Sequence, residues 1–191
     1  TPSLSGFTVI GIGPGLGQSD QTIQAFQKIL ALRKIPFVID ADALNILGTN
    51  RGLLQVIPEG SILTPHPKEF ERIVGKWKNE FERLEKQKKL AKDLKSVVVL
   101  KGANTSIAAP DGAVYFNSSG NPGMAKGGCG DVLTGILTGL LAQQYSALEA
   151  AQLGVYLHGF AGDLAAYDKG MNSLIASDVT DFLPQAFKQS G

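Results

Sequence analysis

Apolar residues fall along this chain in two rhythms. FTVIGI (7–12), PFVID (36–40), SILTP (61–65) and SVVVLKG (96–102) are short continuous runs that end in glycine, acid or proline. Continuous rather than alternating apolar runs predict strands covered on both faces, as in a parallel sheet. Longer helical patterns separate them, at 20–33, 50–56, 67–74 and 78–95. The last has Phe81, Leu84, Leu90 and Leu94 on one side and charges elsewhere, which predicts a docked stripe with a solvated back. After Lys101 the texture changes. TSIAAPDGAVYF (105–116) reads as a hairpin turning at Pro110-Asp111-Gly112, and from Gly127 onward helices are expected at 129–144, 147–168 and 177–189. The pattern predicts one α/β domain over residues 1–191, with a mostly parallel central sheet between helices on both faces and a helical C-terminal third.

Composition narrows the field. Hydrophobic residues make up 43% of the 191 and charged residues 18%, a globular balance with enough chain for a substantial core. The formal net charge of +1 gives no bulk attraction to nucleic acid or anionic lipid, so neither is expected as a partner. Cys129 is the only cysteine, which excludes an intrachain disulfide and fits a reducing, cytoplasmic setting. The uncharged run 132–148 contains Gly135, Gly139, Gln143 and Gln144 and is expected to be a core helix rather than a membrane span. The two glycines predict close packing there. The chain begins at Thr1 and enters a strand almost at once, so it reads as part of something longer.

Two glycine-rich stretches carry the candidate chemistry. GIGPGLG (11–17) follows the first strand, but a third glycine is missing at the dinucleotide spacing: Leu16 stands there counting from Gly11, and Gln18 counting from Gly13. That argues against a Rossmann site and leaves either a strand-to-helix turn or a loop open to close ligand approach. No Gly-x-x-x-x-Gly-Lys-Ser/Thr phosphate loop occurs. The second stretch, NPGMAKGGCGD (121–131), leads into the uncharged helix. Gly127, Gly128, Cys129 and Gly130 are placed to offer unpaired amides at a helix start, an anion site without side-chain charge. Asp131 is then either a residue favoured by the helix dipole or a base beside the anion.

These segments, taken together and in order, resemble the ADP/ATP-dependent NAD(P)H-hydrate dehydratases of the ribokinase-like superfamily. VIGIGPGLG (9–17), VIDADALNIL (38–47), ILTPHPKEFERI (62–73), VVVLKGANTSIAAPDG (97–112), NPGMAKGGCGD (121–131), YLHGFAGDLAA (156–166) and SLIASDVTDFLPQAF (173–187) are similar to its blocks and cover essentially the whole chain. The resemblance implies a ribokinase-like three-layer α/β/α fold. It also implies nucleotide-dependent repair of NADHX or NADPHX through phosphorylation and phosphate elimination, with ADP or ATP as co-substrate and Mg2+.

The same resemblance implies the residues. Asp131 becomes the catalytic base. Gly15, His66 and Asp131 meet the substrate, and Lys101, Gly102, Ala103, Asn104 and Thr105 with Gly127 to Gly130 line the nucleotide. Glu69 stands near the metal indirectly, and Asp40, Asp42, Asn45 and Lys126 are second-tier candidates, Lys126 as a cation for phosphate. Kinases of the superfamily carry Asn where this sequence has His66, which separates a dehydratase from the alternatives of a vitamin-precursor kinase or a non-catalytic nucleotide-binding fragment. His158 has the weaker case and reads as a packed residue. Further implications are a homo-oligomer such as a tetramer, a missing N-terminal block and a fused epimerase domain in the natural protein.

Overall fold

The computed structural model describes residues 6–31 and 35–191. Six strands form one sheet in the order β1 (Ile10–Ile12), β2 (Phe37–Ile39), β3 (Ile62–Leu63), β4 (Val97–Leu100), β5 (Thr105–Ala108) and β6 (Val114–Asn117). β1 to β4 are parallel; β5 and β6 turn back as the expected hairpin, with Ala109 and Ala113 hydrogen-bonded across Pro110–Gly112.

The helices are α1 (Asp20–Leu30), α2 (Ala41–Thr49), α3 (Pro67–Val74), α4 (Glu80–Leu94), α5 (Cys129–Ala142), α6 (Ala147–Lys169) and α7 (Ala176–Ser190). α2 is not among the helices expected from the pattern, which places none between 40 and 50. The candidate at 50–56 is a 3-10 turn, Arg51–Val56, that continues from α2. The end of the expected helix 20–33 falls partly outside the described residues.

Side chains alternate strictly across the sheet. Val98 and Leu100 join Phe37, Ile39 and Leu63 in a core with Phe26, Leu44, Phe70 and Leu90 from α1 to α4. Val97 and Val99 join Val38 and Ile62 in a second core with Leu133, Leu137 and Val155 from α5 and α6. Both faces are therefore covered, which is why the strands read as unbroken apolar runs. Sequential parallel crossovers put α1 to α4 on one face, and only the C-terminal helices remain to cover the other. Burial of each such Leu, Val or Phe contributes about 1.5–3 kcal/mol against chain entropy. α7 packs on α6, with Leu157, Ala161, Leu174 and Val179 at the contact.

This arrangement brings the C-terminal ends of β1 to β4 to one edge of the sheet. Gly13, Asp40, Thr64 to His66 and Lys101 follow those strands, where parallel sheets bind ligands.

Candidate functional site

The site is built from the strand ends upward. The ends of β1 and β2 meet without clearance. The Asp40 amide donates to the Ile12 carbonyl at 3.0 Å, and a Cβ on Gly13 would lie 1.7 Å from the Asp40 carbonyl oxygen. Gly13 also has φ of 132°, so only glycine serves there. The loop that follows is tied to α2, because the Gly17 amide donates to Asp42 Oδ2 at 2.9 Å and Gln18 Nε2 to Oδ1 at 2.8 Å. The Gly17 amide, then Gln18, hold the Asp42 carboxyl below its ordinary pKa. Gly15 lies in this tethered loop with φ of 64° and open space where a Cβ would be.

Asp40 is buried, 1% exposed, and is fully engaged. Its Oδ1 accepts from Lys101 Nζ at 2.6 Å and its Oδ2 from Thr134 Oγ1 at 2.9 Å. Thr134 and Gly130 belong to the first turns of α5, and the Gly130 Cβ position lies 3.5 Å from Lys101 Nζ and 3.6 Å from Asp40 Oδ2. The ends of β2 and β4 are thus clamped to the start of α5. His158 on α6 supports the same turn: its Nε2 is 2.8 Å from the Cys129 carbonyl. Burial pushes the His158 pKa down, and the nearby Lys101 charge adds to the effect, so the neutral ring donates that bond from Nε2.

The glycine loop enters α5 through Gly128, whose φ of 90° turns the chain sharply. No side chain caps this helix, which leaves its first amides without side-chain partners. Asp131 is exposed in the first turn and makes no side-chain hydrogen bond among the described residues. An uncapped N-terminus beside a carboxylate that no protein group engages can hold an anion and accept a proton next to it. Cys129 is buried and its thiol is pushed up in pKa by that burial, so it is packing rather than chemistry.

Lys126 lies on the outside of this loop. Its Nζ donates to the Asn172 and Leu174 carbonyls at 2.7 and 2.8 Å, which fastens the α6–α7 connection to the glycine loop. As placed, the ammonium is a clamp and not a free cation for phosphate. Upstream, Asp163 on α6 accepts from the Gly120 amide at 2.8 Å and from Asn121 Nδ2 at 3.0 Å. The Asn121–Met124 turn is thereby anchored before the glycines begin. Asp163 and Thr134 were not singled out from sequence. The signal for Thr134 was its spacing of four from Gly130, one helical turn.

Across the strand ends, Gly102, Ala103 and Asn104 are exposed, and Thr105 Oγ1 closes the loop by bonding both the amide and the carbonyl of Gly102. Asn104 borders a groove of about 420 Å3 between α4 and the hairpin, flanked by Phe81 and Phe116.

His66 is the N-cap of α3. Its Nδ1 accepts from the Lys68 and Glu69 amides at 3.1 and 3.3 Å, and Glu69 Oε2 accepts the His66 amide at 2.8 Å. Glu69 Oε1 faces His66 Nε2 at 3.4 Å, and this carboxylate is buried with both its oxygens turned to His66. The three acidic and amide candidates after β2 find their closest partners in different places, although Asn45 also helps hold the Asp42 carboxyl down in pKa. Asp40 turns to Lys101, Asp42 to the Gly17 loop, and Asn45 Oδ1 accepts from Arg72.

One packing expectation is overturned. Gly135 and Gly139 are exposed, with nothing near their missing Cβ atoms, and line a groove of about 390 Å3 with Ile136, Leu183 and Phe187 between α5 and α7. The close approaches that need glycine occur elsewhere: on β1, where a Gly11 Cβ would meet Thr138 Oγ1 at 2.5 Å, and on α6, where Gly154 meets Leu137.

The fold and this edge-of-sheet site define a class. The structure matches that of a ribokinase-like superfamily protein from Enterococcus faecalis with a TM-score of 0.81 at 31% identity, over 95% of this chain and 63% of that one. Within the class, the family model described as NAD(P)H-hydrate dehydratase matches residues 1–185, and the chain belongs to that family. It is 46% identical over 187 residues to a bifunctional NAD(P)H-hydrate repair enzyme of Moorella thermoacetica, covering 97% of this chain and 35% of that protein. A solved structure of the ADP/ATP-dependent NAD(P)H-hydrate dehydratase from Bacillus subtilis, co-crystallised with ATP and Mg2+, matches with a TM-score of 0.82 at 37% identity. That match covers 96% of this chain and 65% of the other. The chain therefore spans about a third of the bifunctional relative and just under two thirds of the monofunctional one.

Proposed function

We propose that residues 1–191 act as one domain that uses ADP or ATP to dehydrate NADHX or NADPHX, restoring NADH or NADPH. The observation that carries this reading is Asp131, exposed in the first turn of α5 and without a side-chain partner among the described residues, immediately after an uncapped glycine loop. Family membership supplies the substrate class, and the Moorella and Bacillus relatives bear it in their names.

Hydroxide is a poor leaving group and phosphate a good one, so a kinase site has a use here. Asp131 accepts the proton of the hydrate hydroxyl as that oxygen forms a bond to the terminal phosphorus of the nucleotide and the bridging P–O bond breaks. The ring nitrogen pair then expels phosphate as the C–O bond breaks, and loss of a proton from the adjacent carbon restores the ring double bond. ATP gives ADP and phosphate; ADP gives AMP and phosphate. Amides of Gly127 to Gly130 bind the transferring group, Gly102 to Thr105 the nucleotide, and His66 and Gly15 the hydrate. Bound magnesium supplies charge neutralisation at the phosphates. Such an ion is held by phosphate oxygens, water and one or two carboxylates rather than a protein cage. That mode fits this chain, in which no three His, Cys, Asp or Glu side chains converge among the described residues. Glu69 would contribute through water.

The same reading places the protein in the cytoplasm, as a homo-oligomer such as a tetramer, and beside an epimerase domain where the natural protein is bifunctional. No helix among the described residues is long and apolar enough to cross a membrane.

Asp131→Asn tests the assignment. Turnover of the hydrate should fall at least about 100-fold, the scale of a lost general base, while ADP binding is retained. Full activity in that variant would refute the role of Asp131.

A further inference from the structure

We propose that the free edge of β6 is an interface between two copies of this chain. β6 of one copy pairs antiparallel with β6 of the other and joins two six-stranded sheets across a two-fold axis at Tyr115. This goes beyond the catalytic reading and gives the homo-oligomer proposed above a surface.

The backbone makes the first argument. Partners in an antiparallel ladder alternate between residues that exchange hydrogen bonds and residues that turn their polar groups away. The Ala109 amide donates to the Ala113 carbonyl at 2.9 Å, so Tyr115 and Asn117, at steps of two, also turn to β5. Val114 and Phe116 turn outward. Among the described residues β5 is the only strand beside β6, and no loop or turn group bonds to Val114 or Phe116. The edge therefore offers two amides and two carbonyls. In a two-fold pairing Val114 of each copy exchanges both bonds with Phe116 of the other, and Tyr115 meets its own counterpart on the axis. The edge is its own complement.

The side chains make the second. Sheet edges left to solvent are blunted by lysine, proline, a bulge or a covering element. β6 is VYFN with an unbroken register, and no charge occurs between Asp111 and Lys126. Val114 packs into the core of α1 to α4, which puts Phe116 on that face, and Tyr115 lies opposite Ile107 on the face of α5 and α6. Phe116 is 67% and Tyr115 40% exposed, and Phe81 of α4, which flanks the same groove as Phe116, is 83% exposed. At about 200 Å2 for each ring residue, these three bury about 750 Å2 between two copies. That is most of the roughly 1,000 Å2 a specific interface needs, and the paired backbone supplies the rest. Glu80 and Arg83 at the groove are paired with each other, so like charges do not oppose the contact. The strand runs on into Ser119 and Gly120, which Tyr156 and Asp163 of α6 hold, so the interface adjoins the approach to the glycine loop.

Sedimentation velocity of the purified chain tests this without nucleotide or hydrate. Wild type should sediment as a dimer of the 20.2 kDa chain or a multiple of that dimer. Phe116→Lys, which charges the edge, should reduce the mass to half. So should Val114→Pro, whose lost amide faces away from β5. Tyr167→Lys, which removes a ring 95% exposed elsewhere on α6, should leave the mass unchanged. Tyr115→Cys tests the register. Across the axis the two Cα atoms would stand about 4.5 Å apart, within disulfide range, so mild oxidation should give a covalent dimer. Wild type should give none, because Cys129 is buried. A monomeric wild type, an oligomer that keeps its mass in both edge variants, or no disulfide at position 115 overturns the inference. An oligomer that persists in those variants would keep the assembly and refute this surface. Failure of an intact dimer to turn over NADHX would refute the proposed activity and leave the interface standing.

Discussion

Gly13 lies so close to Asp40 that the two strand ends touch backbone to backbone: a Cβ on Gly13 would stand 1.7 Å from the Asp40 carbonyl oxygen. That contact fixes the start of the Gly15 loop against the residue that pairs with Lys101. Gly13→Ala must therefore separate β1 from β2 at the site. It should cost at least about 3 kcal/mol, beyond the usual range of single substitutions, measured by denaturant unfolding. Gly15→Ala, with open space at its Cβ and only a positive φ to accommodate, should cost about 1–2 kcal/mol.

Lys126 is a clamp between two loops, and its loss should act on the whole nucleotide site together. Lys126→Met removes two charge-assisted bonds from a partly solvated ammonium, about 1–2 kcal/mol in sum, and should lower Tm by about 3–6 °C in a domain of this size. ATP and AMP affinities should weaken by the same factor. A selective loss of ATP affinity would show that Lys126 leaves its carbonyls to meet phosphate.

His66 caps α3, and substitution can separate that role from the substrate contact proposed for it. Its Nδ1 caps α3, so His66→Ala should lose about 1 kcal/mol and about 2–4 °C of Tm. Asn is a strong N-cap, so His66→Asn should keep the wild-type Tm. If the ring also meets the hydrate, His66→Asn raises KM for NADHX without that loss of stability. Equal KM in wild type and His66→Asn would leave His66 with the cap alone.

His158 gives the fold a pH dependence whose sign follows from burial. Its folded pKa is pushed below the ordinary value. The unfolded chain therefore takes up a proton below about pH 6.5 that the folded chain refuses. Stability is unaffected by this group above that pH and falls as pH drops through it. Chemical denaturation from pH 8 to 5.5 should show the decline in wild type and a shallower one in His158→Gln; parallel curves would remove His158 as the cause.

Much of the scaffold was legible in the residues. Val97 to Leu100 reads as a doubly covered strand because it is one, and Pro110-Asp111-Gly112 turns the hairpin as its residues demand. α2 was hidden because its first residues, Ala41 and Asp42, follow β2 with no capping serine or threonine, and Ala41 takes a φ of 48° to make the turn. Gly135 and Gly139 misled because a glycine in a helix marks close packing only when a neighbour stands over it, and α7 leaves a groove instead. At the site, local pattern singled out Asp131 and the glycines as neighbours at a helix start, and they do stand together there. It could not divide Asp40, Asp42 and Asn45 among their separate partners, because Lys101, Gly17 and Arg72 lie 61, 25 and 27 residues away in sequence. The carbonyls that engage Lys126 were hidden for the same reason, since Asn172 and Leu174 lie 46 and 48 residues further along the chain.

The central claim is that a kinase-like site here performs dehydration, and hydrate turnover tests it most directly. Purified protein is incubated with NADHX and Mg2+, with ADP, with ATP or with neither. Recovery of reduced nicotinamide absorbance and release of inorganic phosphate are followed together. The account predicts recovery only with a nucleotide, and one phosphate released for each nicotinamide restored. No recovery with either nucleotide, recovery without any, or a phosphorylated hydrate that accumulates as a stable product would contradict it.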